Sequence, residues 1–217
     1  MKILPIIPSV YNFDSTLIKD TLNSIILSGN INAVHFDNCD DLSKYKDLLE
    51  KYNIIADIHL LGNDPLGELA TIIKMGLNFP LRVSIHIESG QDREKFCRIA
   101  KNKNISPGLA FKLKTPIVQS FDFYSDFDYI HIICNDEVSG APFFQDEALD
   151  KIKSLRDFLP KDFFITIDAG VKKENVGPSV QVGANNIVMG SAIFKSINPL
   201  DAVIELNEIV RKNTKNL

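Results

Sequence analysis

The chain has 217 residues, of which 45% are hydrophobic and 24% charged, with a formal net charge of −4. That length suits one domain around a single core, and the composition is that of an ordinary globular protein. No basic surplus points to nucleic acid, and the apolar run at the start, broken by Pro5 and Pro8, is too short to span a bilayer and reads as a first strand, so no membrane partner is expected.

Short, β-branched, apolar runs recur at 2–7, 32–37, 54–60, 81–87, 107–111, 128–134, 163–168 and 185–190, which predicts eight strands. Segments with helical spacing lie between them at 15–28, 42–52, 65–75, 92–100, 146–159, 173–182 and 199–210, with a weak one after Pro116. Asp, Asn or Ser stands near several of their N-termini, and Gly29 and Gly76 sit where helices should stop. Strict alternation of buried strands with helices implies a parallel sheet, and eight units in this length is the count of a closed (β/α)₈ barrel. An open, doubly wound sheet is the alternative. No linker interrupts the pattern, so residues 1–217 are taken as one domain whose polar tail frays.

In such a barrel the site lies at the C-terminal ends of the strands. Those ends carry Ser9, then His35 with Asp37, His59, His86 with Glu88, Asn135, Asp168, and Gly190 with Ser191. His35 and Asp37 are two apart, so on a strand they share a face. A lone histidine at a strand end is more often structural than a ligand. Together, His35, Asp37, His59 and Asp168 would form a four-ligand nitrogen and oxygen cage suited to one divalent ion, Zn²⁺, Mn²⁺ or Fe²⁺, and bare buried carboxylates without a cation would be costly. His131, between Ile130 and Ile132, faces either the lumen or the helices and is read as structural. His86 and Glu88 either support the metal cage or are simply exposed polar residues.

"IDAGVKKENV" (167–176) and "VMGSAIF" (188–194) place small residues at the junctions of strands seven and eight with their helices, where such barrels bind phosphate through backbone N–H groups. Lys172 and Lys173 read as exposed lysines of a first helical turn rather than phosphate ligands. Three widely spaced cysteines, Cys39, Cys97 and Cys134, show no CxxC pair, which disfavours a disulfide framework and suits a reducing cytoplasm.

These stretches resemble the ribulose-phosphate 3-epimerases, phosphate-binding (β/α)₈ barrels that invert C3 of a ketose phosphate. "PSVYNFD" is similar to the family's PS-x-L-S-A-D opening, "VHFD" to H-V-D, "DIHLL" to D-x-H-L-M and "SIHIES" to H-x-E. "GLAFKLKTP" resembles G-x-x-x-x-P-x-T-P, "SGAPF" the end of P-G-F-G-G-Q-x-F, "IDAGVKKENV" V-D-G-G-x-x-x-x-N, and "GANNIVMGSAIF" G-A-D-x-x-V-x-G-S-x-I-F. The resemblance implies His35, Asp37, His59 and Asp168 as metal ligands and Asp37 with Asp168 as the acid/base pair. It also implies Ser9 and His59 as substrate contacts, and the backbone around Gly140, Ala169, Gly170, Gly190 and Ser191 as the phosphate site. A small sugar phosphate is the implied partner, and homo-oligomers are common among such barrels.

The departures bear on the substrate. The family's M-D-G-x-F-V-P-N stretch is shortened to "NCDDLSKY", Cys39, Leu61 and Ile132 stand in for methionines near the reacting carbons, and Asp136 and Glu137 enter the strand-six lid. A metal-dependent 3-epimerase of a pentulose or hexulose phosphate other than, or in addition to, ribulose 5-phosphate is the leading expectation, and ribulose-phosphate 3-epimerase itself comes second. The rival is a non-catalytic sugar-phosphate-binding barrel that has lost that activity. A decarboxylase or aldolase of the same barrel group would need a strand-borne lysine, and Lys112 and Lys114 look like loop residues.

Overall fold

The computed structural model describes residues 4–90, 92–134, 144 and 146–214. Eight strands form one sheet: β1 (Ile6–Pro8), β2 (Ala33–Asp37), β3 (Ile55–Leu60), β4 (Leu81–His86), β5 (Ile105–Phe111), β6 (Tyr129–Ile133), β7 (Phe164–Asp168) and β8 (Asn186–Met189). Every pairing is parallel, in the order β1-β8-β7-β6-β5-β4-β3-β2. A parallel bridge between Ser9 and His35, with Val10 N–H donating to the His35 carbonyl at 3.2 Å, joins β1 to β2 and closes the ring. The fold is the (β/α)₈ barrel that the alternation implies.

The helices are α1 (Ser15–Leu27), α2 (Leu42–Tyr52), α3 (Pro65–Lys74), α4 (Arg93–Asn102), α5 (Glu147–Arg156), α6 (Lys173–Gln181), α7 (Ser191–Phe194) and α8 (Pro199–Thr214). Local chemistry sets their ends. Asp14, Asp64 and Asp92 accept backbone N–H groups of Thr16, Gly67 and Lys95 at 2.8, 3.1 and 2.9 Å, filling donors that a first turn leaves unpaired. Gly29 (φ 70°) and Gly76 (φ 58°) take the left-handed conformation just past α1 and α3, as expected of helix stops. The weak helical expectation after Pro116 is not met: a short 3₁₀ turn at Phe121–Phe123 stands there, anchored by buried Tyr124 and Phe127. β5 also starts at Ile105, two residues before the expected 107.

Most of the core lies between the outer face of the sheet and the helices, while Ile7, Ala33, Ile55 and Val188 form a separate apolar plug. Strand alternation orders the space above that plug. From Ala33 on β2 the inward positions run to His35 and Asp37, and from Ile55 on β3 to Asp57 and His59. The middle layer is polar. Arg82 of β4 pairs with Asp57 at 2.8 Å, donates to Thr166 of β7 at 2.7 Å and Asn186 of β8 at 3.3 Å, and lies 3.7 Å over the Tyr129 ring of β6. Tyr129 fits because β5 carries Gly108 opposite, where a Cβ would fall 2.2 Å from its ring.

Candidate active site

Three imidazoles meet above the Arg82 layer. His35 and His131 are fully buried and His59 is 2% exposed. Their rings lie 5.5 Å (His35 to His131), 6.3 Å (His35 to His59) and 4.6 Å (His59 to His131) apart. Asp37 Oδ1 stands 3.6 Å from His35 Nε2 and 3.5 Å from His59 Nδ1. Asp168 Oδ2 stands 3.4 Å from His35 Nε2 and 3.4 Å from His131 Nε2. The sequence-derived set of His35, Asp37, His59 and Asp168 is therefore brought together, with His131 added from β6.

The other nitrogen of each ring is engaged from behind. His35 Nδ1 is 2.8 Å from Asp57 Oδ2, His131 Nδ1 is 3.1 Å from Ser84 Oγ, and His59 Nε2 is 2.8 Å from His86 Nε2. His86 Nδ1 lies 3.0 Å from Glu88 Oε2; if a neutral His86 donates there, its Nε2 accepts from His59 Nε2–H, and His59 keeps a lone pair on Nδ1, the nitrogen that faces Asp37. His86 and Glu88 thus support the cluster rather than merely facing solvent.

Electrostatics agree with a cation site. Burial opposes a charge on His35, yet Asp168, Asp37 and Asp57 around it raise its pKa well above the usual imidazole value. Burial likewise acts to raise Asp37, but His35 and His59 hold its carboxyl well below the usual range. Burial of His59, with His131 and His86 nearby, pushes its pKa down to about 4 despite Asp37. Asp37, Asp57 and Asp168 thus favour positive charge at the position of His35.

A divalent ion fits the donor set. The inward ligand atoms of His35, His59, His131 and Asp168 all lie within 4.8 Å of one another, and His35 Nε2 and His131 Nε2 are buried without a hydrogen-bond partner among the described residues. Buried imidazole nitrogens are seldom left so, and a metal is a partner that accepts lone pairs. Formal charge points the same way, since Asp57 is paired with Arg82 and the two carboxylates that remain, Asp37 and Asp168, would be balanced by one divalent ion.

The remaining expected residues cluster at the same barrel end. Ser9 N–H donates to Met189 O at 3.0 Å, and its Oγ accepts from Tyr11 N–H at 3.3 Å. Gly190 abuts it: a Cβ there would sit 3.3 Å from Ser9 O. Ala169 and Gly170 follow β7 directly, and Ser191 opens α7. Gly140, with Asn135, Asp136 and Glu137, lies outside the described residues. Lys173 pairs with Glu205 of α8, and Lys112 and Lys114 are exposed in the turn after β5. A groove of about 460 Å³, lined by Asn53, Phe79, Lys103 and Asn104 among others, opens where the chain enters β3, β4 and β5, at the opposite end.

The family model of the ribulose-phosphate 3 epimerase family matches residues 6–194. The chain belongs to this family. It is 28% identical over 209 residues to a ribulose-phosphate 3-epimerase of Serratia marcescens, covering 89% of this chain and 97% of that protein. With the ribulose-phosphate 3-epimerase of Buchnera aphidicola subsp. Acyrthosiphon pisum it shares 27% over 204 residues, 88% of each. The match to the Candida glabrata ribulose-phosphate 3-epimerase, 26% over 159 residues, spans 73% of this chain and 63% of that protein. Among solved structures, a 3-hexulose-6-phosphate synthase from Salmonella typhimurium superposes with a TM-score of 0.69 at 10% identity, covering 96% of this chain and 99% of that one. An orotidine 5′-phosphate decarboxylase from Pyrococcus horikoshii does so at 0.65 and 16%, covering 95% and 99%. At those identities they share the fold.

Membership of the ribulose-phosphate 3-epimerase family makes the chain an enzyme of the isomerase class. One expectation carried over from the family needs correction. Ile132 does not reach the reacting end: it is fully buried in the core outside the sheet, and strand alternation gives the inward places on β6 to His131 and Ile133. His131, read from the sequence as structural, stands inside the cluster, and Asp57 and Arg82 were the residues that sequence reasoning missed. A charge within an apolar strand, as in "ADIHL" and "LRVSI", is the signal that marks the last two, because a strand buried on both faces tolerates a charge only when it is paired.

Proposed function

We propose that the chain is a metal-dependent 3-epimerase of a ketose phosphate, ribulose 5-phosphate or a pentulose or hexulose phosphate like it. The observation that carries this reading is the convergence of two carboxylates on one point from different strands. Asp37 on β2 and Asp168 on β7 stand 3.6 and 3.4 Å from the same His35 nitrogen, while β1 and β8 separate their strands in the ring. Inversion at carbon needs a base on one face and an acid on the other. Asp37 and Asp168 supply that pair, one taking the C3 proton and the other returning one to the opposite face of the enediolate.

His35, Asp37, His59 and Asp168 would hold the ion, Zn²⁺, Fe²⁺ or Mn²⁺. Bound there, it supplies Lewis-acid stabilisation of the oxygen on which charge develops as the proton leaves. The Asp57–Arg82 pair keeps the His35 ring in one orientation, and the His86–Glu88 pair does so for His59. Ser9 faces the sugar, and the backbone of Ala169, Gly170, Gly190 and Ser191 receives the phosphate. Three free, buried cysteines favour a reducing cytoplasm as the compartment. A homo-oligomer is the expected assembly, which sedimentation of the purified chain checks.

The test is deuterium incorporation at C3 in D₂O, followed by NMR on a panel of ketose phosphates that includes ribulose 5-phosphate. Wild type is expected to exchange the C3 proton of at least one member, and Asp37→Asn or Asp168→Asn to slow this by about 10²–10⁴-fold. Metal-loaded wild type that exchanges none of them would leave a sugar-phosphate-binding barrel without epimerase chemistry.

A further inference from the structure

We infer that His131 is a fifth protein ligand of the divalent-metal centre, which makes its donor set three imidazoles and two carboxylates. The inference rests on the metal-dependent reading above and extends it with a residue that the four-ligand set lacks. His131 lies on β6 with its side chain wholly buried in the lumen. Its Nε2 has no hydrogen-bond partner among the described residues and stands 3.4 Å from Asp168 Oδ2, the oxygen that is also 3.4 Å from His35 Nε2. A structural histidine in a core normally spends both ring nitrogens on hydrogen bonds. This one spends only Nδ1, on Ser84 Oγ at 3.1 Å.

The same division holds around the whole cluster. His35, His59 and His131 each turn one nitrogen outward, to Asp57, His86 and Ser84, and the other inward. Such a backing partner is the usual companion of a metal-bound imidazole, because it holds the ring and fixes the tautomer that leaves the inner lone pair free. If His131 Nδ1–H donates to Ser84, its Nε2 carries that lone pair. The inward atoms of His35, His59, His131 and Asp168 lie within 4.8 Å of one another, close to the span of about 4.2 Å between opposed donors on one ion with bonds of about 2.1 Å, and Asp37 Oδ1 stands beside them, 3.6 Å from His35 Nε2 and 3.5 Å from His59 Nδ1. Three imidazoles shift the site towards borderline ions such as Zn²⁺, Co²⁺ and Fe²⁺ and away from Mn²⁺ and Mg²⁺, which prefer oxygen.

An ion pair between His131 and Asp168 is the competing account, and the full-length protein separates the two. Wild type, His131→Leu, His131→Gln and Ser84→Ala are loaded with Co²⁺ or Zn²⁺. Metal affinity is read by competition with a chelator, bound imidazoles are counted by X-ray absorption, and the metal-free Tm is recorded. The expected result is three imidazoles in wild type and two in His131→Leu, with affinity lower by at least about tenfold and a smaller loss in Ser84→Ala. Metal-free His131→Leu should melt no lower than wild type, whereas an ion-pair role predicts a lower metal-free Tm. Should His131→Leu not fold, His131→Gln carries the same imidazole count. Two imidazoles in wild type with unchanged affinity in the variants would remove His131 from the centre and leave the four-ligand reading standing. A wild type that binds neither ion overturns both.

Discussion

At the scale of single residues, the strand-seven junction holds backbone strain. Ala169 adopts φ 71°, a left-handed conformation that crowds an L side chain, and its N–H is tied to Asp168 Oδ1 at 2.6 Å. The V-D-G-G pattern that this segment resembles has glycine there. Ala169→Gly is therefore expected to stabilise the protein by about 1 kcal/mol, read as a higher urea midpoint with an unchanged slope. An unchanged or lower midpoint would mean that the site does not impose the strain. The hydrogen bond has a second consequence, since it turns one oxygen of Asp168 towards the backbone and leaves the other, Oδ2, facing His35 and His131.

At the scale of elements, the end of β4 is joined to the turn after β5 through Glu88. Burial acts to raise its carboxyl, but hydrogen bonds from His86, Thr115 and the Lys112 N–H bring the pKa down to about 2. Lys151 of α5 holds the same turn by donating to the carbonyls of Lys112, Leu113 and Thr115. A folded pKa below the unfolded one of about 4.5 gives stability that is complete above pH 4.5 and lost as pH falls towards 2. Glu88→Gln should thus be less stable than wild type at pH 7, with the gap closing between pH 4.5 and 2 in a denaturation series. A gap that stays constant would show that the carboxylate charge is not what binds the turn. All eight strands were legible as short apolar runs, and the helices with aspartate caps were legible too. The segment after Pro116 was not, because its aromatic residues are placed for a tight turn on Tyr124 rather than for a helical stripe. His131 was half legible. Alternation with Ile130 and Ile132 separates the faces, but only the pairing of His131 with Thr166 and Ala110 shows which of them points inward.

For the whole molecule, the barrel could be anticipated from the count of strand and helix units, and the cluster from polar residues recurring at strand ends. The lumen beneath it could not, because Asp57, Arg82, Thr166 and Asn186 come from four strands and meet only when the ring closes. Among the described residues no helix is long and apolar enough to cross a membrane.

The closure itself is uneven. β4 and β5 are in register over six residue pairs, from Leu81 with Ile105 to His86 with Ala110, whereas among the described residues β1 meets β2 at a single bridge, between Ser9 and His35. Local opening starts where backbone pairing is sparsest, so this seam is the weak point of the hoop. His35 sits on it. An ion held by Asp37 on β2 and Asp168 on β7 would act as a clasp across the seam, spanning β1 and β8 from inside. Removing the metal should then speed amide hydrogen exchange at Val10, whose N–H bonds the His35 carbonyl, far more than in β4 and β5. Equal acceleration around the ring would mean that the metal steadies the barrel as a whole and does not fasten this sparsely paired joint.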